Sequence, residues 1–180
     1  MRVVTSGESQ QIDRISIRQF GIPGALLMET AGILTTRVIL ERFPLAGKKV
    51  TVICGTGNNG GDGLVITRHL QRHGITCNTV IVGKREKLEG DALLNYKLLT
   101  GNGHDVRECS DITHLSLLAT LLHDSSLIVD ALFGTGLSSP VKGLARDVIA
   151  LINSSEKSVV AVDIPSGIDG STGHICGDAV

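Results

Sequence analysis

Apolar residues along the chain fall into short, near-continuous runs separated by longer amphipathic stretches. Residues 50–54, 77–82, 127–130 and 158–162 read as strands, and 104–107 is a weaker candidate. Their starts lie about 20–30 residues apart, close to the ~30-residue strand–helix–strand unit. The runs do not alternate apolar with polar, as expected when both faces of a sheet are covered. Between them, 61–73, 89–100, 112–123 and 142–153 have helical character. This order predicts a three-layer α/β fold with helices on both faces of a mostly parallel sheet.

Two helices are predicted ahead of the first strand. Thr5-Ser6-Gly7-Glu8 has the form of a capping box and opens a helix that would turn Ile12 and Ile15 inward. A break at Gly21-Ile22-Pro23-Gly24 follows, with Pro23 suited to the first turn of the next helix. Leu27, Ala31, Leu34 and Val38 then form one apolar face, which would cap the sheet or pair with another subunit. No repeat, low-complexity tract or linker divides the chain, so residues 1–180 read as one domain.

Composition narrows the functional classes. A net charge of −1 gives no electrostatic reason to expect nucleic acid or an anionic membrane surface. Aromatic residues are 2% of the chain, which argues against base-stacking platforms. No apolar run approaches the ~18 residues that span a bilayer, and no signal-peptide core is visible, so a cytoplasmic protein is expected. Cys54, Cys77, Cys109 and Cys176 form no C-x-x-C pair and read as small buried hydrophobes. His69 and His73 have helical metal spacing but no third ligand, and read as solvent-facing. Glycine is 22 of 180 residues, and much of it falls in loops after three strands, where ligands of a parallel sheet bind.

The first of these loops, Gly55-Thr56-Gly57-Asn58-Asn59-Gly60-Gly61-Asp62-Gly63, brings bare backbone N–H groups to a helix start, a setting for a pyrophosphate. It satisfies G-x-G-x-x-G, but the acid expected about 20 positions on in a redox dinucleotide fold is missing at Val82-Gly83-Lys84-Arg85. The second loop follows Asp130, a carboxylate interrupting an apolar strand, and contains Gly134-Thr135-Gly136 with Lys142 beyond. The third follows Asp163, with Pro165-Ser166-Gly167; no nucleophile elbow is present. Oxygen donors of low total charge at these ends suit a hard, monovalent cation.

These residues carry a resemblance. Residues 54–63 look like the signature of the NAD(P)H-hydrate epimerases, the YjeF N-terminal domain family. The strings DALFGTGL at 130–137, VDIPSGIDGSTG at 162–173 and GIPGALLMETAG at 21–32 are similar to further family segments, in the family's order. The resemblance covers the whole chain and implies a Rossmann-like fold. It also implies a repair reaction, interconversion of the R and S forms of reduced nicotinamide cofactors hydrated at carbon six.

By matching position, the resemblance implies substrate contacts from Asn58, Asn59, Gly60, Gly61 and Asp62, and from Gly134, Thr135, Gly136, Leu137, Ser138, Ser139, Pro140 and Asp163. It implies a potassium ion held by Asn59, Asp130 and Ser166. It implies as partner a dehydratase acting on one epimer, fused C-terminally in many microbes, and a homodimer formed through the helical prefix. Asp163 is the first choice for a catalytic base, with Lys142 as acid partner. The family continues past Gly177-Asp178-Ala179-Val180, so the domain is expected to be truncated there. An NAD(P)-dependent oxidoreductase and a non-catalytic nucleotide-binding relative are the alternatives.

Overall fold

The computed structural model describes residues 4–180. Five strands form one parallel sheet: β1 (Lys49–Cys54), β2 (Thr76–Val82), β3 (Val106–Cys109), β4 (Leu127–Ala131) and β5 (Ser158–Ala161). Their spatial order is β3-β2-β1-β4-β5. The strands are near-continuously apolar because both faces are covered. Val50, Val52, Cys54, Leu127 and Val129 enter one core layer, and Ile53, Val80, Val82 and Ile128 enter the other.

Helices α1 (Ser6–Arg18) and α2 (Gly24–Arg42) precede the sheet. Helices α3 (Asn58–Arg72), α4 (Gly90–Gly101), α5 (Leu115–His123) and α6 (Gly143–Ser154) connect the strands. The three-layer Rossmann-like expectation is met. The capping box forms: Glu8 N–H donates to Thr5 Oγ1 at 3.3 Å, and Thr5 N–H donates to Glu8 Oε2 at 2.7 Å.

Four expectations need correction. Ile12 is 53% exposed on α1, so it does not turn inward. On α2 the buried stripe is Met28, Gly32, Thr36 and Ile39, while Leu34 and Val38 face outward. Gly32 lets the Val65 side chain sit where a Cβ would be, and Thr36 satisfies its hydroxyl on Gly32 O at 2.8 Å. A face counted by hydrophobicity alone misses a stripe built from glycine and a self-bonded threonine. The predicted helix at 112–123 starts as a 3-10 turn, Ile112–His114, because Asp111 Oδ1 captures Thr113 N–H at 2.8 Å. Finally, His69 does not face solvent: it bonds Glu29 at 2.7 Å, and Arg68 bonds the other carboxylate oxygen. Burial pushes the Glu29 carboxyl up, but these two partners outweigh it and leave it lowered. His73 is exposed as expected. Cys54, Cys77 and Cys109 are buried free thiols, and Cys176 is half-buried.

Candidate functional site

In the order β3-β2-β1-β4-β5, the chain leaves β1 in one direction and β4 in the other. The carboxyl ends of those two strands flank the switch point where open α/β sheets bind ligands. A cleft of about 580 Å³ opens there. Its volume falls within the ~300–1,000 Å³ typical of small-molecule sites.

One wall is the turn from β1 into α3. Gly57 is the N-cap of α3, with extended backbone (φ −95°), so the helix begins at Asn58. Gly61 N–H is the first to find a carbonyl, Gly57 O at 3.1 Å, which leaves the preceding first-turn N–H groups to face the cleft mouth. Such a helix start attracts anions. Gly60 is required here, because a Cβ would run into Gly55 O.

A second wall is the loop after β4, including Leu132, Phe133, Gly134, Thr135, Gly136, Leu137, Ser138 and Ser139. The third is the end of β5, where Asp163 is exposed and its Oδ2 accepts from Thr135 N–H at 2.8 Å.

Beneath the cleft lies a second carboxylate. Asp130 is fully buried. Its Oδ2 accepts from Ser166 N–H at 2.8 Å, and its Oδ1 from Ser166 Oγ at 2.6 Å and Leu132 N–H at 3.2 Å. Phe133 N–H in turn donates to Ser166 Oγ at 2.8 Å. Desolvation pushes the Asp130 carboxyl up, and these hydrogen bonds offset only part of it. Among the described residues no cationic side chain answers its charge. Nearby in the first turn of α3, both the oxygen and the nitrogen of the Asn59 amide are buried without a hydrogen-bond partner. Unpaired buried amide atoms and a buried carboxylate bonded only by neutral donors each call for a further partner. This donor set is all oxygen with one negative charge, which fits a monovalent cation. Among the described residues no group of three or more His, Cys, Asp or Glu side chains is placed to hold a metal, and His69 is taken by Glu29.

The structure therefore brings Asn58, Asn59 and Asp62, the loop 134–139 and Asp163 together, with Gly60 and Gly61 buried just behind. Pro140 and Lys142 are not in the lining; Lys142 is exposed and forms the N-cap of α6. Sequence reasoning missed two contributors from α1, Gln10 and Asp13, which close the cleft from above. Gln10 Nε2 reaches Thr135 O at 3.4 Å. The capping box was the available signal, since it fixes where α1 starts and hence which of its residues share a face.

Asp62 has a strongly perturbed environment. Burial, then the charges of Asp163 and Asp13, push its carboxyl up to about 7. Asp62 also lines a smaller adjoining hollow of about 210 Å³ with Asp13, Asn58 and Asp91.

Comparison with known proteins gives this geometry a context. The chain is 36% identical over 182 residues to a bifunctional NAD(P)H-hydrate repair enzyme of Moorella thermoacetica, a match covering 100% of the chain and 34% of that relative. It thus spans about a third of the length of such bifunctional relatives. It is 38% identical over 179 residues to an NAD(P)H-hydrate epimerase of Limosilactobacillus reuteri, covering 99% of the chain and 80% of the relative. The crystal structure of the yeast protein ynu0 superposes with a TM-score of 0.86 at 28% identity, covering 100% of the chain and 77% of that structure. Residues 24–180, which hold both β1 and β4 ends and the buried Asp130 pair, match the family model described as YjeF-related protein N-terminus, and the chain belongs to that family.

Proposed function

We propose that the chain interconverts the R and S forms of hydrated NADH or NADPH. The observation that carries this reading is the cleft itself. It joins an anion-binding helix start, at Asn58–Asn59, to a strand-end carboxylate, Asp163. A dinucleotide laid across the switch point would put its pyrophosphate on the first and its nicotinamide ring near the second. The names of the relatives from Limosilactobacillus and Moorella support the same substrate.

Epimerisation at carbon six needs no redox step. The lone pair of the ring nitrogen expels the hydroxyl, giving an iminium, and water adds to the opposite face. Asp163 takes the proton of that water and stabilises the cation as it forms. A potassium ion held by Asn59, Asp130 and Ser166 would balance the buried Asp130 charge and fix the loops after β4 and β5. Its role is to keep the cleft in shape rather than to react.

A dehydratase acting on one epimer is the partner that gives the interconversion a use. A homodimer through the prefix is supported by Leu26, Ile33, Leu34 and Val38, which leave α2 with an exposed apolar face. A cytoplasmic location is supported by the free thiols.

The test mixes R and S hydrates of NADH and NADPH with the protein and an S-specific dehydratase, and follows the R epimer. Faster consumption of R than with the dehydratase alone is the expected result. Binding without acceleration, or hydride transfer from the reduced cofactor, would sink the proposal.

A further inference from the structure

We infer that Asp62 is a second catalytic carboxylate, donating the proton that lets the hydroxyl leave, and that it works as one half of a pair with Asp163. The inference rests on the epimerase reading above and assigns the acid that reading lacks.

Expelling the hydroxyl as hydroxide is slow, and a positioned acid turns it into water. An epimerase needs such help on both faces of the ring, because the group leaves one face and returns to the other. The cleft offers few candidates. Among the described residues no Lys, Arg or His lines it or the adjoining hollow; the titratable side chains there are Asp13, Asp62, Asp91 and Asp163. Lys142 stands outside, exposed at the start of α6. Asp13 is exposed on α1, and Asp91 opens α4 in the smaller hollow. Asp62 alone is both buried against the sheet end and open to the cleft.

Topology sets Asp62 and Asp163 on two sides. Asp62 comes from the β1 side and Asp163 from the end of β5, with β4 and its loop 132–137 between them. Asp163 spends one oxygen on Thr135 N–H. Among the described residues the Asp62 carboxyl has no hydrogen-bond partner, so its proton is free to go to a ligand. Its surroundings hold that proton. Besides burial, Asp163 and Asp13 face it with negative charge and push it up to about 7, and Cys54 behind it is a buried neutral thiol. Like charges facing across one cleft raise the carboxyl that is buried, here Asp62.

The step balances as follows. Asp62 protonates the hydroxyl, the carbon–oxygen bond breaks and water departs. The nitrogen lone pair becomes the iminium double bond. A second water attacks the opposite face and gives its proton to Asp163; Asp163 then releases a proton to solvent and Asp62 takes one up through the cleft, which restores the starting pair. The reverse epimerisation starts with the proton on Asp163 and ends with it on Asp62.

The experiment measures kcat and KM for R-to-S conversion from about pH 5 to 9 for the chain and for Asp62→Asn and Asp62→Glu. The unchanged chain should lose rate as pH rises through about 7, where Asp62 gives up its proton. Asp62→Asn should lower kcat about a hundredfold or more, leave KM within about threefold, and abolish that alkaline fall. Asp62→Glu should restore about a tenth of the activity together with the fall. A near-normal kcat in Asp62→Asn, or an alkaline fall that survives it, overturns the inference. Should Asp62→Asn not fold, an unchanged chain that keeps its rate above pH 7 overturns it equally. A chain that turns over neither hydrate at any pH removes the epimerase reading and the inference with it. Activity with no dependence on Asp62 removes the inference alone.

Discussion

Two neighbouring strands carry an aspartate at or just past their carboxyl ends, and the two ends are built for opposite purposes. At the end of β4, Asp130 is sealed from solvent and receives three hydrogen bonds, two of them from Ser166. At the end of β5, Asp163 stands in the open with a single backbone donor. The strands are paired with Asp130 beside Ala161, so Asp163 lies two residues farther along, past the last pair. The difference begins with that position. β4 is interior, with Ile128 packed among α5 and α6 residues on one face and α3 against it, and Asp130 lies within the paired strand. A carboxylate inside the paired strand becomes an anchor for loops. The same group in the loop past β5 keeps freedom to meet a ligand.

Removing the anchor is expected to cost most. Asp130→Ala strands the Ser166 N–H and the Leu132 N–H in a buried site and leaves the Ser166 hydroxyl only Phe133 O as acceptor, which should lower stability by about 3–5 kcal/mol in urea unfolding. Potassium chloride, set against choline chloride at equal ionic strength, should raise the melting temperature of the unchanged protein and not that of Asp130→Asn. Equal melting temperatures of the unchanged protein in the two salts would remove the ion from the site.

Asp62 should give an intermediate effect with a characteristic pH slope. Its folded pKa, about 7, lies above its ordinary value of 3.8. Between those values the folded state holds a proton that the unfolded chain has released. Stability is therefore fully present below the lower value and is lost as pH rises to the upper one. Asp62→Asn should flatten that slope and be more stable than the unchanged protein at pH 8 by about 1–3 kcal/mol, the range reflecting water in the cleft. Denaturant unfolding at pH 5 and pH 8 decides it; parallel slopes in both proteins would mean Asp62 ionises freely.

Asp163→Asn should have the smallest effect on stability, within about 0.5 kcal/mol, since an amide oxygen can still accept from Thr135 N–H. Its effect should lie in turnover, a drop of about a hundredfold or more. A variant that unfolds more easily, or that turns over normally, would erase the contrast between the two ends.

The contrast was half legible in the sequence. Both aspartates interrupt apolar runs, which marks them as unusual. Which would be buried depends on how far each strand stays paired, and that is a property of the tertiary structure. The strands themselves were readable because covered faces leave no polar alternation to mislead. The α2 face was not, because its inward stripe uses Gly32 and Thr36 in place of larger apolar residues. Glu29 with Arg68 and His69 was beyond reach, since the partners are about 40 residues apart and nothing local links them. For Gln10 and Asp13 the capping box marks only which residues of α1 share a face; that the face meets the cleft follows from α1 folding over the finished sheet. The loops after β1, β4 and β5 were readable as site loops because glycine in such density has few other uses.

The strand order also sets when the cleft can exist. β1, β2 and β3 pair among themselves within residues 49–109, and the pairings among these three can form as that half of the chain emerges. The other wall waits for β4 and β5, so Asn58 and Asp163 meet across about a hundred residues of intervening chain. Contacts of such separation form late and slowly. On a growing chain, the Asp130–Ser166 bonds are the event that turns a half-built sheet into a binding site. A pause in synthesis before residue 166 would leave a protein with most of its strands and no pocket.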